Sequence, residues 1–551
     1  MIKLKLFVLA LILLTGCSNT HIPFETLEEG NDVQEEILEN EVVAPSEILK
    51  ELEKEFQKNR EEKEETPILE PQIKEEVKKE EIHPVETQST EEKKEQKEKK
   101  VESKNPQITK SHIQDTIDRF VNLEILKNSN IGISIVNLKT GKNVGSYNEN
   151  RAITPASIMK VITSSAAIEK LGAETKLETK LLYDGKIAQD GTLTGDLYII
   201  GGGDPTLGSD GIKVEQTAFM KEWIEKIKAV GIKKVKGDII VIDNLFGYVG
   251  VEEKWQLEDF GSSYGQGTYG ISIFDNSYTL YLNSTDKKVN VMETKPVITD
   301  LKFDNRLKIS SKGRRNFTVR GNTLENKRII SGEVPANSKI TTKSDIPDPG
   351  LFLGQYLRNN LKLSNIKVEG KVKTSRTTSK RAKNPQTLVI TKSVPVKEMV
   401  RVLLKRSDNH YTEHLYQLLK LRGVNVERFW KEKGIDVKAL DMQDGSGLSR
   451  SNYVSAQILT DILLYMNKNY PEYKKMLPRG GYEGTVQNFL NPKVFSGEVR
   501  VKSGSMGGIQ SYTGYVKKDG KEYVFTIIVN HWNGSRYNLK REMEKVIISL
   551  F

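Results

Sequence analysis

Thr154-Pro155-Ala156-Ser157-Ile158-Met159-Lys160, followed by the apolar run Val161 to Leu171, is the stretch on which the rest of the chain turns. Thr154 suits a helix N-cap, and Pro155 suits the first helical position, where its missing N–H costs nothing. That places Ser157 third in a helix, with Lys160 one turn further along the same face and about 5–6 Å away between Cβ atoms. A hydroxyl and an amine at that separation can share a proton. Ser157 also falls among the first four helical residues, whose N–H groups lack a partner within the helix. Such an N–H, at the positive end of the helix dipole, can face a developing oxyanion. Ser and Lys three apart are common on ordinary helices, so the decision rests on what else the chain carries.

Residues 1–17 have the layout of a targeting segment: Lys3 and Lys5, an apolar run from Leu6 to Leu14, then Thr15-Gly16-Cys17. The run is too short to span a bilayer as a stable helix. Leu14-Thr15-Gly16-Cys17 resembles a bacterial lipobox, which makes Cys17 a lipidation candidate. It is the only cysteine in the chain, so no internal disulfide is possible. Residues 18–110 hold 27 acidic and 15 basic side chains, a net −12, with no sustained apolar pattern. Such a segment cannot bury enough surface to offset its ordering entropy, and it is expected to be a charged, disordered tether. The whole chain is +10, which leaves +20 on residues 111–551. That charge suits an anionic polymer or a membrane surface. No groove-reading motif appears, so nucleic acid is not an expected partner.

In the body, Ser111 to Leu126 has helical spacing, and Ile131–Leu138 and Asn143–Asn148 form a hairpin across K-T-G-K. Residues 173–383 are β-rich. Short strands such as Asp196–Ile200, Asp238–Asp243, Tyr278–Leu282 and Asn316–Arg320 lie between Gly, Asp and Asn turns, with helices at Val214–Val230 and Gly350–Leu361. Helices return at Val396–Arg406, Asn409–Arg422, Val424–Lys433 and Ser455–Asn467. Strands follow at Glu498–Ser503, Tyr512–Val516 and Tyr523–Asn530, then a helix at Tyr537–Leu550. The expected architecture is α/β: an antiparallel sheet flanked by helices, built from 111–172 and 384–551. It is split by an insertion at 173–383 of one or two small β-rich domains.

Two further motifs stand in the C-terminal half. Ser407-Asp408-Asn409 falls between two helices, and Lys502-Ser503-Gly504-Ser505 ends a strand. With Ser157-x-x-Lys160 they make the ordered set S-x-x-K, S-x-N, K-[ST]-G of penicillin-recognising serine enzymes. The 246 residues between Lys160 and Ser407 disfavour a class A β-lactamase, which has a far shorter interval. The pattern resembles the class C low-molecular-mass penicillin-binding proteins, the D-alanyl-D-alanine carboxypeptidase/endopeptidase family. Leu197–Leu207, the Trp255–Asn276 region and Asp444–Arg450 (D-G-S-G-L-S-R) are also similar to that family, and the likeness covers about 112–551. Ser503 stands where the family usually has Thr; a hydroxyl is kept.

The resemblance implies a penicillin-binding-protein transpeptidase-like fold, no cofactor, peptidoglycan stem peptides as substrate and β-lactams as covalent inhibitors. It implies Ser157 as nucleophile and Lys160 as its base, neutral through burial and the nearby Lys502 cation. Ser407 would relay a proton to the leaving amine, and Asn409 would hold Lys160 and a substrate amide. Lys502 would supply positive potential. Ser503 and Ser505 would grip the terminal carboxylate beside Gly504, and the N–H groups of Ser157 and Ser505 would form the oxyanion hole. Asp243 and Tyr248 could match a family pocket for the stem-peptide side chain, or be structural. The expected location is the cell envelope: lipid-anchored, with the catalytic domain extracytoplasmic, and periplasmic where there are two membranes.

Two rival functions stand beside this one. A penicillin-fold wall receptor or sensor would keep the fold without turnover. A zinc peptidase would use His410-Tyr411-Thr412-Glu413-His414, an H-x-x-E-H pattern with Glu483 as a possible third ligand; the motif abuts S-D-N, which already explains a helix there, so no metal is expected. Gly201–Gly203 follow a strand with no helix or G-K-[ST] after them, and are best explained by a turn.

Overall fold

The computed structural model describes residues 112–551. The expected leader at 1–17, the tether at 18–110 and Cys17 lie outside the described residues. Both ends of the described chain meet in one antiparallel sheet, ordered Glu498–Met506, Ile509–Lys518, Lys521–Asn530, Asn130–Asn137, Asn143–Tyr147. The first strand in sequence thus lies beside the last, with Asn130 opposite Asn530 and Asn137 opposite Tyr523.

Side chains alternate across a strand, so this sheet has two different faces. Ile131, Ile133 and Ile135 join Phe525 and Ile527 in a cluster closed by the terminal helices His112–Val121 and Arg536–Ile548. The other face, with Val524, Ile528 and Tyr515, shares a core with the helices Met159–Ala167, Val396–Arg406, Asn409–Leu421 and Ala456–Asn469. Ser134 points the same way, and its hydroxyl is satisfied by Gln457 Oε1 at 3.0 Å. All nine residues of Met159–Ala167 are buried. A helix buried all round belongs at the centre of a domain, and its polar members Lys160, Thr163 and Ser164 are hydrogen-bonded there.

The inserted region is richer than alternating strands and turns. Thr192–Gly201 runs antiparallel to Glu178–Ile187 but parallel to Ile239–Ile242. The crossover between the parallel pair carries the helix Ala218–Ala229, whose Trp223 is fully buried. Ile239–Ile242 is in turn parallel to Val372–Thr374. The connection between those two strands contains two three-stranded sheets and the helix Pro349–Leu363, capped by Asp348. The strand Gln386–Lys392, expected on the peptidase side of the boundary, pairs along Glu178–Ile187 and completes the inserted sheet. The chain therefore leaves the insertion some ten residues later than the composition suggests, because one more strand brings no change in residue types. No helix among the described residues is long and apolar enough to cross a membrane.

One ion pair inside the insertion is fully enclosed. Arg328 Nε donates to Asp345 Oδ1 at 2.9 Å, and Nη1 donates to the carbonyls of Asn322 and Glu325. Burial pushes the Asp345 carboxyl up to about 6, against the pull of Arg328. Removing the guanidinium would strand that carboxyl without its partner, at a cost of about 3–5 kcal/mol. Arg328→Ala is therefore expected to unfold at markedly lower urea, read by intrinsic fluorescence. A loss below about 1 kcal/mol would show that the pair is not holding the two sheets.

Candidate active site

The nucleophile turn differs from a simple capped helix. Thr154 caps nothing: its hydroxyl donates to the Arg450 carbonyl at 3.4 Å. Ala156 has φ +53, in the left-handed region that residues with a Cβ rarely adopt. Ala156–Ile158 then form a 3₁₀ turn, and the α-helix begins at Met159. Ser157 thus sits just ahead of the regular helix, half-buried and facing outward. Strained backbone at such a place persists only when its surroundings over-determine it. Here Ser511 Oγ donates to the Pro155 carbonyl at 2.6 Å, and Asn530 Nδ2 donates to the Thr154 carbonyl at 3.2 Å.

Two glycines let neighbouring segments close on the turn. A Cβ on Gly504 would lie 2.6 Å from the Pro155 carbonyl oxygen and 3.0 Å from the Ile158 nitrogen. A Cβ on Gly447, whose φ is +80, would lie 2.1 Å from the Ala156 oxygen. The K-S-G strand and the D-G-S-G loop therefore both press backbone against the residues flanking Ser157.

Lys160 is completely buried and makes three hydrogen bonds. Its Nζ lies 3.0 Å from Ser157 Oγ, 2.6 Å from Asn409 Oδ1 and 2.7 Å from the Ser446 carbonyl. Burial lowers its pKa to about 8, while the Glu413, Asp444 and Asp408 carboxylates pull the other way. Lys502, also fully buried, donates to Ser407 Oγ at 2.8 Å and to the Ser503 carbonyl at 2.6 Å. Its pKa is driven well down, first by burial and then by the Lys160 charge. Burial is thus the first cause on both amines, and because repulsion between them is mutual, a charge on either disfavours a charge on the other. Ser407 itself is held at φ +58 by its place at the end of Val396–Arg406, and Asp408 caps the next helix through the Tyr411 N–H.

The three motifs converge as expected, with amendments. Asn409 holds Lys160 with its oxygen, but its Nδ2 donates to the Tyr264 carbonyl at 2.8 Å, so the insertion reaches the site. Ser503 Oγ is bonded to Thr485 Oγ1 at 2.8 Å, and Ser505 stands exposed at the strand end. The Asp243 side chain is wholly enclosed, 2.7 Å from Arg376, and burial raises its pKa. Tyr248 is exposed and takes a hydrogen bond from Asn244. The other oxygen of the Asp243 carboxylate, Oδ1, has no hydrogen-bond partner among the described residues.

Several contributors escaped the sequence. Ser446 acts through a backbone carbonyl, which no residue type advertises. Asp444 is fully buried and accepts from Trp255 Nε1, Gly447 N, Ser449 N and Asn452 Nδ2. The D-G-S-G-L-S-R string was the available signal. Within H-x-x-E-H the His410 and His414 rings pack 4.3 Å apart, while Glu413 and Glu483 have partners elsewhere. His410 Nε2 lies 2.6 Å from Ser272 Oγ, and His414 Nδ1 donates to the His410 carbonyl. Glu413 accepts two backbone N–H groups, and Glu483 pairs with Lys405.

Comparison with known proteins identifies the family. A D-alanyl-D-alanine carboxypeptidase from Actinomadura sp. is 25% identical over 458 residues, which covers 77% of this chain and 82% of its own. The carboxypeptidase DacB of Haemophilus influenzae is 23% identical over 430 residues, covering 74% and 86%. The crystal structure of that organism's penicillin binding protein 4 (dacB) shares the fold. It has a TM-score of 0.68 at 21% identity, over 80% of this chain and 99% of its own. The family model described as D-Ala-D-Ala carboxypeptidase 3 (S13) matches residues 113–548, and the chain belongs to that family of serine-type D-Ala-D-Ala carboxypeptidases.

Proposed function

We propose that the protein is a membrane-tethered D-alanyl-D-alanine carboxypeptidase/endopeptidase that cleaves peptidoglycan stem peptides through an acyl-enzyme on Ser157. The observation that carries this reading is the set of partners around Lys160. A neutral amine has two N–H donors and one lone pair. Asn409 Oδ1 and the Ser446 carbonyl can only accept, so they take both donors. The lone pair is left facing the Ser157 hydroxyl at 3.0 Å. That is the arrangement of a base that removes a proton as Oγ attacks.

Attack forms the Oγ–carbonyl bond and passes the Ser157 proton to Lys160. The carbon–nitrogen bond between the two D-alanines then breaks, and the leaving amine takes a proton through Ser407, itself bonded to Lys502. Water repeats the sequence to release the acyl group. The N–H groups of Ser157 and Ser505 are the oxyanion donors of this reading, where loss of one donor costs about a hundredfold or more. The substrate carboxylate, taken up by Ser503 and Ser505, supports positive charge on Lys502. Two amines buried near one another resist carrying two charges, so that binding helps strip Lys160 of its proton. A β-lactam follows the same path to a stable ester; a β-lactam complex of the Haemophilus influenzae relative is known. Digestion of purified muropeptides, read by mass, tests the reading. Wild type should release D-alanine and Ser157→Ala should not.

The tether rests on Cys17, which follows Leu14-Thr15-Gly16 and is the sole cysteine. Acyl chains there would anchor the chain without a spanning helix. Cys17→Ser is expected to move the protein from the membrane pellet to the soluble fraction, followed by blotting. Retention in the pellet would defeat the anchor.

A further inference from the structure

Glu413 is buried one turn beyond Asn409 on the helix Asn409–Leu421, and positions four apart share a helix face. Asn409 reaches the Lys160 amine directly. Glu413 turns instead to the loop that supplies the third partner: Oε1 accepts from the Ser446 N–H at 2.8 Å, and Oε2 from the Gly445 N–H at 3.1 Å. The same loop is fixed from its other side by Thr163, whose hydroxyl donates to the Gly445 carbonyl at 2.7 Å. Asp444 holds the following N–H of Gly447 at 2.7 Å. With its N–H groups tied to Glu413, Ser446 directs its carbonyl at Lys160 Nζ, 2.7 Å away.

We propose that Glu413 is the positioning residue of the catalytic base: its two oxygens take both N–H groups of Gly445-Ser446, aim the Ser446 carbonyl at Lys160, and thereby turn the amine lone pair onto Ser157. Two adjacent donors require two acceptors, which a carboxylate has and a carboxamide lacks. The inference rests on the serine reading above. The charges around it are defined. Burial raises the Glu413 carboxyl, with Asp444 and Glu252 adding to the rise, while the two N–H bonds favour its charged form. On Lys160, Glu413 comes first among the carboxylates that sustain the ammonium form, ahead of Asp444 and Asp408. Lys502 is the other buried amine nearby, and burial and the Lys160 charge disfavour its own ammonium form. Glu413 thus costs the base some readiness to lose its proton while fixing its direction.

The test is the pH profile of acylation by a fluorescent penicillin, measured as the second-order rate constant, which reports free-enzyme groups. Glu413→Gln should lower the high-pH plateau about 10–100-fold and move the acid limb down by about one pH unit. Glu413→Asp keeps the charge but shortens the reach, and should lower the plateau without moving the limb down. A merely structural glutamate would lower the plateau in both variants and move neither limb. An unmoved limb in Glu413→Gln, or a plateau within twofold of wild type, overturns the proposal. If Glu413→Gln does not fold, as judged by its melting curve, Glu413→Asp decides alone: a reduced plateau with a wild-type melting curve supports the proposal, and a wild-type plateau, or a plateau that falls only together with the melting temperature, overturns it. A wild-type protein that takes no label defeats the serine reading and this inference with it. A labelled wild type with an unchanged Glu413→Gln profile defeats this inference only.

Discussion

Ser157→Ala should abolish covalent labelling by a β-lactam and lower D-alanine release by roughly 10⁴–10⁶-fold, the scale seen when a serine hydrolase loses its nucleophile. The fold should be untouched. Ser157 is only half-buried, and its side chain makes a single hydrogen bond, to Lys160. Lys160 keeps Asn409 and Ser446 in the variant, so no buried polar group is stranded. The left-handed Ala156 that presents residue 157 is anchored by Ser511 and Asn530, neither of which is altered. The expected result is therefore a protein with a wild-type melting curve and no chemistry, shown by intact mass after penicillin treatment and by peptide mapping of the wild-type adduct. An adduct on any other residue, or release of D-alanine by the alanine variant above the solvent rate, would remove Ser157 from the mechanism.

Much of this site was legible because its chemistry is carried by residue types at fixed spacing. Ser157 and Lys160, Ser407 and Asn409, and Lys502 each announce a group that only those side chains have. The peptidase helices were legible for a related reason: Val396–Arg406 and Asn409–Leu421 have an apolar period that survives in the structure. What stayed hidden was carried by backbone. The Ser446 and Tyr264 carbonyls belong to residues of no distinctive chemistry. The left-handed Ala156 defeats a capping rule that assumes ordinary backbone ahead of the helix, and so Thr154 lost its expected role. The parallel pairs in the insertion were hidden too. Ile239–Ile242 reads as a short apolar run, and its direction depends on where the helix Ala218–Ala229 returns the chain. The partner of Asp243 was hidden by distance along the chain: Arg376, 133 residues away, donates to its Oδ2.

Lys160→Arg should be nearly as damaging as loss of the nucleophile, and for a reason that isolates the role of the amine. Arginine keeps a positive charge at this position but never offers a lone pair at accessible pH. If Lys160 served only to supply positive potential, acylation would survive the change. If it removes the Ser157 proton, acylation should fall by about 10²–10⁴-fold, the range that general-base catalysis supplies. Because the larger guanidinium must fit a fully buried site, Lys160→Met serves as the neutral control of similar length. It should show the same loss, with a melting curve lowered only by the two acceptors it strands, Asn409 Oδ1 and the Ser446 carbonyl. The pH dependence carries the sign. A base works in its deprotonated form, so wild-type acylation should rise with pH and level off above about 8, where burial has placed the Lys160 pKa. In both variants that limb should disappear, since the group that titrates there is gone. A wild-type rate that is flat from pH 6 to 9, or that falls as pH rises through 8, would mean that a different group takes the proton. In that case Lys502, the other buried amine, bonded to Ser407 at 2.8 Å, would be the residue to mutate next.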